Sequence, residues 1–372
     1  MAATDSISSD AEGPLPGSGL HRSLLRWYRR SARDLPWRRT RDPYAIWVSE
    51  VMLQQTQVDT VIGYYLRFLK SFPTVHALAQ ANESDVLRLW EGLGYYRRAR
   101  QLHAAAQQVV HVHAGQMPRD PDRLRALPGI GRYTAGAILS IAFGDRQPIL
   151  EANSLRVLAR WLAERDDMTR PRVQTRLWQA AENLLPKRDV GIWNQGLMEL
   201  GSLICTPRNP QCDSCPVRPW CAAARQGMQL EIPTGRKRLN RESREEVAFI
   251  VEKNGRILLG PCAAGGRWGG LWDFPRLTVA APPAEMPRGE LGRCVASQLG
   301  MQTTIGPCLT VIKHGVTRFR ITLSCYRARW ISGRRPPKSD WRWVWPSQLD
   351  AYPLNVTGRK IARLLASTIN AS

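Results

Sequence analysis

Four cysteines lie within one short stretch, spaced Cys205-x6-Cys212-x2-Cys215-x5-Cys221. Thiolates are soft ligands, and four in a single loop can close around one metal centre. Zinc sites usually pair two short Cys-x(2–4)-Cys arms across a longer gap, whereas only one arm is short here. Iron–sulfur clusters also draw four thiolates from compact runs, so spacing leaves iron–sulfur and zinc both open. Cys262, Cys294, Cys308 and Cys325 are scattered and read as small buried hydrophobes.

Two carboxylates form a second constellation. Glu50 stands in Trp47-Val48-Ser49-Glu50-Val51-Met52-Leu53-Gln54-Gln55-Thr56-Gln57, among largely apolar neighbours. Desolvation there raises a carboxyl pKa and suits the group to proton donation. Glu151 lies in Ile149-Leu150-Glu151-Ala152-Asn153, beyond the turn Leu127-Pro128-Gly129-Ile130-Gly131-Arg132-Tyr133-Thr134-Ala135. The turn's glycines permit a tight bend between helices and close approach of another backbone. The helix start after it leaves N–H groups that favour an anion. A single Glu is usually a surface residue, and Gly-x-Gly alone is weak. Two carboxylates in apolar settings near such a turn make a catalytic reading competitive. Gln54, Gln55, Tyr95 and Tyr96 read equally as solvated or core residues, or as side chains filling the gap left by an extruded base.

The anion is suggested by the whole chain. Its 372 residues hold 53 Lys+Arg against 31 Asp+Glu, a net charge of +22. Such a field attracts polyanions, nucleic acid first and anionic membrane second. With 43% hydrophobic and 23% charged residues the chain is not wholly disordered. No apolar run approaches the roughly 18 residues that span a bilayer, so a transmembrane protein is excluded, and no membrane partner is expected. Residues 1–19 are rich in Ser, Asp, Gly and Pro and lack the features of a secretory signal. They read as a disordered tail on a cytoplasmic protein with reduced thiols.

These groups need elements to hold them. From Leu20 to about Ile204 the pattern is helical, with apolar residues three and four apart in Pro43–Phe72, Asp85–Trp90, Ala99–Val112 and Thr134–Phe143. A basic polar stretch within 226–245 reads as a linker. Beyond it Val247–Val251, Ile257–Leu259, Thr310–Ile312 and Phe319–Tyr326 are strand-like, and Glu290–Leu299 and Val356–Leu365 helical. Trp341, Trp343 and Trp345 would share one face of a strand. The expectation is a multidomain protein, with a mainly α domain at 20–225 and an α+β domain at 246–368.

Together these residues resemble the helix-hairpin-helix DNA glycosylases of the endonuclease III superfamily, and within it the adenine DNA glycosylases. The resemblance covers about residues 20–365. It is carried by Ser49–Val58, Glu91-Gly92-Leu93-Gly94-Tyr95-Tyr96, Leu127–Ala135 and the four-cysteine loop. It implies a helix-hairpin-helix glycosylase domain whose Cys205, Cys212, Cys215 and Cys221 hold one 4Fe–4S cluster. It also implies double-stranded DNA with A·8-oxoguanine or A·G mismatches as the partner, and a monomer associated with the nucleoid. Glu50 would be the acid, Glu151 the stabilising anion, and Tyr133 and Asn153 their support. Gln54, Gln55, Thr56, Leu93, Tyr95, Gly129, Gly131 and Arg132 would contact DNA. Strand-cutting relatives carry Lys where Tyr133 stands, so this chain resembles the monofunctional members, which hydrolyse with water.

Glu151 and Ala152 stand where the family places Asp and usually Gly. The charge is kept while the reach grows by roughly 1.3–1.5 Å. The resemblance therefore leaves two alternatives: a lesion-binding protein with weak catalysis, and a same-fold enzyme acting on thymine or uracil opposite guanine. The C-terminal half resembles the family's Nudix-like domain through Arg267-Trp268-Gly269-Gly270-Leu271-Trp272-Asp273-Phe274-Pro275. Its magnesium motif has become Arg293-Cys294-Val295-Ala296-Ser297-Gln298-Leu299-Gly300, with no Glu left as a hard-cation ligand. This implies a non-catalytic domain that reads 8-oxoguanine, with Thr317 and Arg318 in the recognition loop.

Overall fold

The computed structural model describes residues 18–234, 242–263, 266, 268–316, 318–333 and 340–369. Thr317, Arg267, most of the 1–19 tail and the centre of the 226–245 linker lie outside them. Two compact units emerge. One comprises residues up to 69, 74–76 and 104–237; the other comprises 70–73, 77–103 and 238–372. Residues 77–103, read from the sequence within the first domain, thus group by compactness with the C-terminal half. No helix among the described residues is long and apolar enough to cross a membrane.

The helices in chain order are α1 (Ser18–Ser31), α2 (Pro43–Leu53), α3 (Val58–Ser71), α4 (Val75–Gln80), α5 (Glu83–Trp90), α6 (Arg97–Val112), α7 (Pro121–Arg125), α8 (Arg132–Ala142), α9 (Ala152–Trp161), α10 (Pro171–Asn183), α11 (Val190–Leu203) and α12 (Ala222–Arg225). The apolar pattern over Pro43–Phe72 is not one helix. It breaks at Gln54–Gln57, where Gln55 takes φ +59°. Helix α2 starts firmly, with Pro43 in its first turn and the Asp42 carboxylate accepting from the amides of Tyr44 and Ala45. Every residue from Tyr44 to Met52 is buried, so α2 is a central helix. A core of Leu20, Leu24, Val157, Leu158, Trp193 and Leu197 locks α1, α9 and α11 together. Each such side chain contributes about 1.5–3 kcal/mol on burial.

Two glycines set the spacing that the site needs. A Cβ on Gly136 of α8 would stand 2.2 Å from the Pro148 carbonyl oxygen. Its absence lets the chain leading to Glu151 lie directly on the helix that carries Tyr133. A Cβ on Gly201 of α11 would stand 2.6 Å from Asn153 Cβ, so the start of α9 rests on α11 only because that position is glycine.

In the second unit β1 (Glu242–Lys253), β2 (Arg256–Pro261), β3 (Trp272–Asp273), β4 (Arg276–Val279), α13 (Arg288–Leu299), β5 (Met301–Val316), β6 (Phe319–Gly333), β7 (Arg342–Val344) and α14 (Val356–Ile369) build a mixed sheet between helices. The strand order is β3-β2-β1-β6-β5, with β4 also on β1 and β7 on β2. β1 runs parallel to β6 and antiparallel to β2 and β4. Val247, Phe249 and Val251 pack with α13, while Ala248 and Ile250 pack with α14. That is the period-two alternation of a strand buried on both faces. The tryptophan stripe is shorter than expected. Only Trp343 lies within β7, and Trp345 is exposed at the start of a 3-10 turn, its ring 5.0 Å from the Arg256 guanidinium. Helix α13 carries the altered magnesium motif, with Cys294, Ser297 and Gln298 at the three former acidic positions.

Candidate active site and four-cysteine loop

A cavity of about 700 Å³ opens in the first unit. Glu50, Tyr133, Glu151 and Asn153 line it, as do Gln54, Gln55, Thr56, Gly129, Gly131 and Arg132. Four separate elements converge here: α2, the hairpin turn, the start of α9 and α11.

Glu50 is buried on α2 at 4% exposure. Tyr133, in the first turn of α8, donates its hydroxyl to Glu50 Oε2 and lies 3.4 Å from the Met198 sulfur. Burial pushes the Glu50 carboxyl up to about 7. The Tyr133 hydrogen bond opposes that rise, the negative Glu151 adds to it, and Arg38 opposes it. A carboxyl near 7 exchanges protons readily at neutral pH.

Glu151 is the N-cap of α9. Its two carboxylate oxygens accept from the amides of Asn153 and Ser154, both at 2.8 Å, while its own amide donates to Ser154 Oγ. Glu is not among the favoured N-caps, yet the longer side chain folds back and completes a capping box. Burial still raises its pKa, against the pull of the amides and of Arg156. The extra methylene is thus absorbed by the cap, and the charge stays on the cavity wall.

Asn153 is held by Arg156, whose Nη2 donates to Asn153 Oδ1 at 2.9 Å and to the Gly201 carbonyl at 2.7 Å. The same guanidinium reaches the Cys205 carbonyl through Nε at 2.7 Å. One turn later the buried Arg160 points Nη1 at the Cys205 sulfur, 3.2 Å away.

Sequence reasoning missed several wall residues. Glu199 on α11 is buried and receives a fork from Arg38 at 2.8 and 3.1 Å and a second from Arg33 at 2.6 and 2.9 Å. Burial alone would raise its pKa, but the two arginines hold it down at about 2. Glu199 is therefore a permanent anion at working pH. Its apolar neighbours Leu197, Met198 and Leu200 were the one available hint, the same that singled out Glu50. Trp178 also lines the cavity, with the Arg132 guanidinium 4.0 Å from its ring.

The remaining expected DNA contacts lie in the second unit. Tyr95 is 51% exposed with φ +49°. Leu93, expected to contact DNA, is buried instead. Arg98 donates to the Leu93 and Gly94 carbonyls from beneath, and the loop presents Tyr95 in its place. Arg318 is exposed at the start of β6, 3.5 Å from a Glu242 oxygen.

Cys205, Cys212, Cys215 and Cys221 line one void with Arg160. Burial pushes the Cys215 thiol up to about 12, and the charges of the other three push the same way. Four thiolates lining one void disfavour one another unless a cationic centre sits among them, which is the chemistry of a metal cluster. A bound cluster would fix the four sulfurs in one rigid knot.

The fold and the cavity are of the helix-hairpin-helix class found in base-excision DNA repair proteins. Residues 48–183 match the HhH-GPD superfamily base excision DNA repair proteins, residues 205–221 the iron–sulfur binding domain of endonuclease III, and residues 246–364 the NUDIX domain. An adenine DNA glycosylase of Homo sapiens is 41% identical over 287 residues, covering 75% of this chain and 52% of that protein. One of Rattus norvegicus is 36% identical over 371 residues, covering 86% of this chain and 72% of that protein. A solved thermostable thymine-DNA glycosylase covers 55% of this chain and 94% of its own, at 30% identity and a TM-score of 0.51. The chain belongs to the adenine DNA glycosylase family. It spans about half the length of the human relative and nearly three quarters of the rat one. The four-cysteine loop is its 4Fe–4S site.

Proposed function

We propose that this protein removes adenine from double-stranded DNA at A·8-oxoguanine or A·G mismatches, by hydrolysing the N-glycosidic bond. The observation that carries the reading is the meeting of Glu50, Tyr133 and Glu151 in one cavity. The adenine is flipped from the stack, which needs such a pocket. Glu50 protonates the ring and so improves the leaving group, then takes a proton from the attacking water. The sugar passes through an oxocarbenium ion, which the fixed Glu151 carboxylate stabilises electrostatically, with Tyr133 and Asn153 supporting the site. Glu199 spends its carboxylate on Arg33 and Arg38 and so fixes both guanidiniums at the cavity wall. Tyr133 offers no amine for a Schiff base, which supports attack by water rather than strand cutting.

Gln54, Gln55, Thr56, Gly129, Gly131, Arg132 and the Leu93–Tyr95 loop would hold the strand and fill the gap. Arg318, with Thr317, would read the opposing 8-oxoguanine. The domain scheme we favour is the sequence one, glycosylase at 20–225 and Nudix-like at 246–368, and we read a monomer acting on the nucleoid in the cytoplasm. The thymine or uracil alternative is not favoured, since the curated relatives are adenine glycosylases. A single-turnover assay on A·8-oxoguanine, A·G, T·G and U·G duplexes tests the proposal. Release of adenine from the first two, and of nothing from the others, is the expected result. Tight binding without release from any duplex would instead support the lesion-binding alternative.

A further inference from the structure

The loop that carries Tyr95 is anchored from the C-terminal half of the chain. Arg359 of α14 sends Nε to Glu91 Oε1 at 2.6 Å and Nη2 to Glu91 Oε2 at 2.9 Å. The two side chains are only 11% and 14% exposed. This is a bidentate, charge-assisted fork, the strongest and most directional form of ion pair. Arg359 is itself fixed, because it also donates to the Leu349 and Tyr352 carbonyls and to Asp350. A second contact joins the same two segments. A Cβ on Gly270, in the Gly-Leu-Trp run, would come within 3.1–3.3 Å of Leu87, Arg100 and Glu83. Residues 77–103 and the C-terminal half accordingly form one compact unit.

Glu91 opens a backbone that local preferences do not hold. Gly92 and Gly94 have φ +102° and +71°, and Tyr95 itself sits at +49°, a region costly for a bulky side chain. Such a conformation persists only where its surroundings over-determine it. From within its own segment the loop is held by Trp90 and Arg98, both donating to the Gly94 carbonyl. The Arg359 fork supplies the anchor at the other end.

We propose that Glu91 and Arg359 are positioning residues that let the lesion-reading half of the chain set the wedge Tyr95. This rests on the glycosylase reading above, in which Tyr95 enters the duplex beside the opposing base. The opposing base is then inspected by the recognition loop and the wedge as parts of one body. Loss of the fork frees Tyr95 without touching the cavity chemistry.

The test uses the full chain with its cluster. A duplex carries 2-aminopurine next to the opposing base, whose fluorescence rises when a side chain unstacks it. This readout needs binding but no base release. Wild type should give the rise, Tyr95→Ala should lose it, and Glu91→Gln should lose at least half of it while its melting curve shows it still fully folded at the assay temperature. The double variant Glu91→Gln/Tyr95→Ala should equal Tyr95→Ala alone, because residues acting through one another are not additive. Single-turnover rates should follow, with Glu91→Gln lowering the preference for A·8-oxoguanine over A·G about tenfold. A full rise in Glu91→Gln, or additive losses in the double variant, would overturn the positioning role. Failure of wild type to release adenine while the fluorescence pattern holds would count against the glycosylase reading and leave the positioning role standing.

Discussion

Tyr133 donates its hydroxyl to Glu50 across 83 positions of sequence, joining the helix after the hairpin to the central helix α2. The bond favours the ionised Glu50, while burial and the Glu151 charge favour the neutral one. The result is a carboxyl near 7, with the proton needed for adenine available at neutral pH.

Replacing Tyr133 by Phe removes the opposing contribution, so the Glu50 pKa should rise further. Base release requires the protonated acid, and the wild-type rate should fall as pH climbs through about 7. In Tyr133→Phe that decline should move to higher pH, with the plateau lowered about tenfold by lost orientation. Single-turnover rates from pH 5 to 9 check this. An unmoved decline would mean that another group sets the profile.

Glu50 also makes stability depend on pH. Its folded pKa of about 7 lies above the 4.5 of a free glutamate. Its contribution is therefore fully present below 4.5 and is lost as pH rises through 7. The cost of burying the charge grows from about 1 kcal/mol at pH 5 to about 3 kcal/mol at pH 8, as an order of magnitude. Glu50→Gln keeps the shape and removes the charge. It should abolish base release yet melt higher than wild type at pH 8, with the gap nearly closed at pH 5. A gap independent of pH would show that Glu50 is not the buried acid.

Much of this was legible from the chain, and what was not has physical reasons. Glu50 and the cysteines carry local signals, an apolar setting and a spacing. The break between α2 and α3 does not, because the apolar periodicity continues through it. Only the polar run Gln54-Gln55-Thr56-Gln57 marked the place. That Leu93 is buried while Tyr95 stands exposed is not legible either, because a motif marks a loop but not which of its side chains points outward. Arg33 and Arg38 meet Glu199 across 166 and 161 positions, a pairing that only the fold creates. The capping role of Glu151 was hidden because Glu rarely caps a helix, and one residue type gives no sign of where its carboxylate bends.

That cap yields a third prediction. Glu151→Gln removes the anion and weakens the cap, so release should fall about 10²–10³-fold and stability by about 1 kcal/mol. Glu151→Asp keeps the charge and supplies a preferred cap. It should melt slightly higher and stay within about tenfold of the wild-type rate. Full activity in Glu151→Gln would remove this residue from the chemistry.

The fourth prediction concerns Asn153, which is held from two sides. Arg156 pulls on its Oδ1 while also gripping the Cys205 carbonyl of the cluster loop, and Gly201 leaves the space it occupies. Arg156→Lys keeps a cation but cannot span the Cys205, Ala152 and Gly201 carbonyls and Asn153 Oδ1, which the planar guanidinium reaches together. Gly201→Ala would push where Arg156→Lys lets go. Both changes should displace Asn153, and a shift of about 1 Å can cost about 10²-fold in rate. Both variants should therefore lose at least tenfold in single-turnover release while keeping their iron, measured by visible absorbance. The fall in rate through pH 7 should remain, since Glu50 is untouched. If either variant lost iron in proportion to rate, the effect would lie in the cluster loop. If both kept full rate, Asn153 would have no part in the chemistry.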